Sequence, residues 1–260
     1  MTSSLVGSEM CIRDRGGVVK DGSYKFTENT AINVNGKDAR GMDFADGTVV
    51  DASGKTLNIN VTDGTRLNAG ISQNINVDSH VKADKIVIKL DSKDASGTTH
   101  AIHQDKGNLT IDGDVDIDIT GQRHTVGVYS HAGSTTINGN VKVVLDGNHG
   151  GFAEYGAAGI YAHAGYGGAV GGTVNVNGNV DISGVGNGLF ANIGGATINV
   201  NGGKINIVDT DKKNGYSAIY AANGKINVNT VKDADGKVTG AGNNNCLLYT
   251  SPSPRDSTSS

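Results

Sequence analysis

The sequence predicts an all-β chain wound as a parallel β-helix, a solenoid of roughly 7–8 coils with about three short strands in each. Composition supplies the first reason. Glycine fills 40 of 260 positions, about twice the ~7% of an average protein. Of the 26 acidic residues all but Glu9, Glu28 and Glu154 are Asp. Glu favours helices, whereas Asp, Asn and Gly favour turns and strand ends. Repetition supplies the second. A small residue, an aliphatic and then often an aromatic recur, with the aliphatic at Met42, Ile71, Ile102, Val128, Ile160, Leu189 and Ile219. The intervals are 29, 31, 26, 32, 29 and 30 residues.

The ends differ from everything between them. Ser4–Arg15 (SLVGSEMCIRDR) and Cys246–Ser260 (CLLYTSPSPRDSTSS) contain both cysteines and both prolines. Both strings resemble translated sequencing-library adapters. Residues 1–15 and 246–260 are therefore set apart as artefactual, disordered segments, the alternative being a native arm and a Ser/Pro linker. Cys11 and Cys246 then imply no disulfide, and the start of the chain is not read for a secretory leader.

Residues 16–245 form one repeat domain. A second phrase alternates apolar and polar residues at Ile32–Asn35, Leu57–Asn60, Ile75–Asp78, Leu109–Asp112, Val174–Asn177, Ile198–Asn201 and Ile226–Asn229, with a short copy at Thr136–Asn138. A third follows at Val115–Ile119, Val141–Val143, Val180–Ile182 and Ile205–Ile207. Each is a period-2 strand bounded by Gly, Asn or Asp. One coil cannot bury its own apolar face, but coils stacked ~4.8 Å apart pair every backbone group and bury a continuous column. Stacking predicts an inward ladder of Ile111, Ile137, Val176, Val200 and Val228. It predicts an outward one of Asp112, Asn138, Asn177, Asn201 and Asn229, whose amides bond along the stack. Asp146–Tyr155 and His163–Gly172 make longer loops, and Asp91–Gly97, Asp209–Gly215 and Asp233–Gly240 ordinary turns.

Several outward residues carry candidate chemistry. Tyr129, Tyr161, Phe190 and Tyr220 each follow the aliphatic of their coil and point away from it. They are read first as a packing ladder and second as stacked rings for sugar faces. Asp105, His131, His163 and Asn192 form a neighbouring row, read first as exposed polar residues and second as a shared metal site. Asp112, Asp114, Asp116 and Asp118 read as a solvated acidic face, because the glycine of a calcium loop is misplaced. Gly165–Gly172 lacks the helix and lysine of a phosphate loop. The core's only arginines, Arg40, Arg66 and Arg123, are scattered. Catalytic residues, cofactors and metals are therefore all expected to be none. A net charge of −4 argues against nucleic acid, and no apolar run reaches the ~18 residues of a membrane helix.

The Gly-Ile-Tyr-Ala phrase at 159–162, its relatives at 188–191 and 218–221, and the Thr-(Ile/Val)-Asn-Val-Asn-Gly phrases at 173–178 and 197–202 resemble the passenger region of bacterial autotransporters (type V secretion). The resemblance covers nearly all of 16–245. It implies a fragment of a surface-exposed or extracellular solenoid, anchored in the outer membrane by a C-terminal β-barrel of the full-length protein. The function expected is non-catalytic adhesion to a host or matrix glycan or protein. A secreted β-helix polysaccharide lyase or hydrolase, or a purely structural stalk, is the alternative. Exposed end coils predict end-to-end self-association.

Overall fold

The computed structural model describes residues 2–5, 9–13, 22–65, 67–92, 97–121, 124–146, 157–164, 170–184, 186–202, 204–209, 217–228, 230–232 and 238–241. The regular structure named in them is β-strand throughout, and all but the last two strands lie on three faces of a solenoid. The first face stacks Ser23–Phe26, the opening halves of Val49–Thr65, Asp78–Asp91 and Asn108–Thr120, then Ser134–Asn138, Thr173–Val176, Thr197–Val200 and Lys225–Val228. The second stacks Thr30–Lys37, the closing halves of the same long strands, Val141–Asp146, Val180–Gly184 and Ile205–Asp209. The third stacks Arg40–Phe44, Leu67–Gln73, Thr98–Gln104, Thr125–Ser130, Ala158–His163, Asn187–Asn192 and Ile219–Ala222. Pairing within each face is parallel, as a solenoid requires.

The repeat spacing maps onto register without a slip. Met42, Ile71, Ile102, Val128, Ile160, Leu189 and Ile219 pair in sequence along the third face. Its seven rungs are joined by six complete turns, fewer than the 7–8 coils expected. The surplus arose because phrases of one pattern serve different faces. Ile59 pairs with Ile32 below and Ile88 above, and Ile88 pairs with Ile117, so Ile32–Asn35 and Leu57–Asn60 belong to the second face. Ile75–Val77 is no strand at all, and Ile75 stands 37% exposed in a turn.

The predicted inward ladder is one column: Ile111, Ile137, Val176, Val200 and Val228 pair in order. The first four are fully buried, and Val228 packs against them partly buried. Columns from all three faces meet in one apolar core, the dominant favourable term in such a fold. Asn108–Thr120 turns the corner between the first and second faces at Gly113, whose φ is +140° and where any Cβ would strike the Ala83 carbonyl. Only glycine fits that corner.

Residues 2–5 and 9–13, set apart above as disordered, run as strands beside Ser23–Phe26 and Ala31–Asn35. An open parallel edge offers unpaired N–H and C=O groups to any extended segment. The 246–260 tail and most of the expected loops lie outside the described residues. Thr230–Lys232 and Val238–Ala241 form an antiparallel pair apart from the three faces.

Candidate functional site

The outer side of the third face is shaped by how little room the core leaves beneath it. A Cβ on Gly159 would come within 2.6 Å of Ile182, and one on Gly188 within 2.6 Å of Ile207. These glycines admit the opposite face, and the two-residue alternation breaks at them. Val126 and Ala158 join an outer apolar cluster with Tyr161 and Phe190, whereas Val128 and Ile160, two residues on, lie in the core.

That break brings together residues the sequence separates. His100 is in register with Val126, so it lies outside with His103 although alternation counts it on the side of Ile102. It was missed for that reason. Its signal was the small residue, Ala101, standing where other coils have glycine. The His100 and His103 rings stack at 5.0 Å with their Nδ1 atoms 2.7 Å apart. Tyr129 covers both, at 4.5 and 5.2 Å between centroids.

The column continues as predicted. Tyr129 meets Tyr161 edge-on at 5.4 Å, Tyr161 stacks on Phe190 at 4.5 Å, and Phe190 stacks on Tyr220 at 5.0 Å. Exposure does not follow the second reading. Tyr161 and Phe190 are buried, Tyr129 is half-buried, and Tyr220 alone is exposed, at 43%. Two of the four rings thus show no face to solvent, because neighbouring rings and the outer apolar cluster cover them. The neighbouring row also forms. Asp105 lies 3.4 Å from His103 Nε2 and 3.6 Å from His131 Nδ1, and His131 stacks on His163 at 5.2 Å. Asn192 donates to the Tyr161 hydroxyl at 3.3 Å. His163 is buried rather than exposed.

Thr98, His100, His124, Val126, Tyr129, Tyr161 and His163 enclose a pocket of about 170 Å³. Burial, then the neighbouring His103 and His124 charges, hold the His100 imidazole well below its ordinary range. Burial followed by His131 lowers His163. Burial, with Tyr161 and Asp105 behind it, pushes the Tyr129 hydroxyl up, so it stays protonated. Burial works to raise the Asp105 carboxyl, but the His103 hydrogen bond and the His103 and His131 charges outweigh it and leave it lowered. The two Nδ1 atoms of His100 and His103 hold a single proton between them, as a donor facing an acceptor. Among the described residues no three His, Cys, Asp or Glu side chains are grouped to hold a metal.

The acidic row divides at the Gly113 corner. Asp112 stays on the first face, where it accepts from His80 at 2.6 Å and Asn138 at 2.7 Å. Asp114 accepts from Asn140, and Asp116 pairs with Lys85 at 2.6 Å. Most of these carboxylates are engaged with neighbouring coils. What fold and site define together is a parallel β-solenoid with a buried aromatic and imidazole column on one outer face. Comparison with protein-family models, with curated proteins and with solved structures finds no match to this chain.

Proposed function

We propose that the chain is a stretch of a bacterial autotransporter passenger that acts without catalysis in adhesion to a host or matrix glycan or protein. One observation supports this best. Many outward polar side chains bond to one another along the stack, as in Asp112–Asn138–Asn177–Asn201 at 2.6 to 2.8 Å. A rod whose surface repeats at coil spacing offers a weak contact many times and gains by avidity. In this reading the protein works at the cell surface or outside the cell, a β-barrel elsewhere in the parent protein anchors it, and the two adapter-like ends are foreign. Its coils also associate end to end.

Beads coated with the full chain test the adhesive reading. Retention on glycan- or matrix-coated surfaces that falls steeply as coating density drops is the expected result. No retention on any surface would favour a stalk. Release of new reducing ends or unsaturated sugars from polysaccharides would overturn the non-catalytic reading in favour of a hydrolase or lyase. Sequencing the source locus across both ends tests the family reading, which expects further coils, a leader and a barrel in frame.

A further inference from the structure

The second face carries a groove of about 410 Å³. Asn33, Asn60, Lys89 and Asp118 stand in register along one wall. Thr62, Asp91 and Thr120 form a parallel row two residues further along the strands. Val61 and Leu90, between the rows, turn their side chains into the core.

Polar side chains in several places are tied to the next coil, as in Asn175–Asn199–Asn227 at 2.7 Å per step or Lys85–Asp116 at 2.6 Å, and in the groove Asn60 donates to Asn33 at 2.7 Å. Thr62, Lys89, Asp91, Asp118 and Thr120 make no side-chain hydrogen bond or ion pair among the described residues. These five stand uncommitted together in one concave place.

We propose that this groove binds an uncharged oligosaccharide lying along the solenoid axis. The inference rests on the adhesive reading and names a ligand class for it. Carboxylates accept from adjacent hydroxyls, lysine and asparagine donate, and threonine does both. Four rungs at ~4.8 Å span ~14 Å, room for a short run of rings. Two carboxylates against a single ammonium leave the groove net negative, which disfavours a uronate or sulfated chain.

The test is fluorescence anisotropy of the full chain with labelled cellotetraose, xylotetraose, maltotetraose, N-acetylated chitotetraose and tetragalacturonate. At least one neutral tetramer is expected to bind, and tetragalacturonate is not. Asp91→Ala with Asp118→Ala should weaken binding about tenfold or more, the loss of charge-assisted hydrogen bonds. The isosteric D91N/D118N pair should weaken it too, and K142A on the same face should leave it unchanged. Failure of every neutral tetramer to bind, preference for the uronate, or binding indifferent to the Asp91 and Asp118 changes would overturn the proposal. So would D91A/D118A abolishing bead retention on a matrix protein while no sugar binds, which would make the groove a peptide site. Beads retained normally by D91A/D118A with no sugar bound defeat this proposal alone. Sugar bound without bead retention defeats the adhesive reading alone.

Discussion

His100 and His103 share one proton between Nδ1 atoms 2.7 Å apart, beneath Tyr129 and out of water. Burial, then the neighbouring His103 and His124 charges, disfavour a charged His100. The folded state therefore binds fewer protons than the unfolded chain, whose histidines titrate near 6.5. His163 is lowered in the same sense. Stability is then full above pH 6.5 and falls as pH drops below it. Asp51, Asp105 and Asp112, all lowered from 3.8, add a second loss at more acid pH. The expected result is a Tm that is level from about pH 8 to 7 and declines from about pH 6.5 downward, with a shallower slope in His100→Gln. A Tm unchanged between about pH 7 and 5 would refute this account of the column. Little of it was legible beforehand. His103 and His131 stood in recognisable repeat positions, but His100 joined them only because the chain breaks its alternation at Ala101.

At the scale of the strand, the asparagine ladders have a direction. Every Nδ2 in Asn201, Asn177 and Asn138 donates toward the preceding coil. Such a series needs an acceptor at its foot, and Asp112 supplies it. The other ladders obey the same rule: Asn227, Asn199 and Asn175 run down to the Thr136 hydroxyl oxygen, and Asn206 donates to Asp181. Asn177→Ala removes one donor and one acceptor from the middle of a ladder. Two hydrogen bonds at ~0.5–1.5 kcal/mol each predict a loss of about 1–3 kcal/mol, toward the lower end at an exposed site. Asn177→Asp should cost more than Asn177→Ala at neutral pH, because it sets a carboxylate against the Asn138 oxygen. Urea unfolding of the two variants checks both the size and the order. These ladders were readable from the sequence because Asn and Asp recur at one phase of an alternating strand. Which face a phrase occupied was not, since Leu57–Asn60 and Leu109–Asp112 share a pattern and lie on different faces.

For the molecule as a whole, the solenoid is a one-dimensional object whose coils are stabilised by their neighbours. Among the described residues Ile205–Asp209, Ile219–Ala222 and Lys225–Val228 pair on one side only. There the core thins: Ile219, Ile226 and Val228 are only partly buried, and Tyr220 is exposed. In the proposed end-to-end association these strand edges and the thinned core meet a second copy. Light scattering of the full chain is expected to show mass rising with concentration, and less so in Val228→Lys. A constant monomer mass at high concentration would refute end-to-end association.

Repeat spacing was enough to determine the solenoid, the stacked aliphatic columns and the order of the amide ladder as far as Asn201, Asn229 lying outside the described residues. The reason is that coils in register make sequence period and spatial neighbourhood the same thing. Burial of the aromatic column, the meeting of His100 with His103, and the groove beside Lys89, Asp91 and Asp118 were settled in three dimensions. The first two depend on where the chain departs from its period, at a small residue facing a crowded core. A repeat pattern carries no information about those departures until the opposite wall of the core is in place.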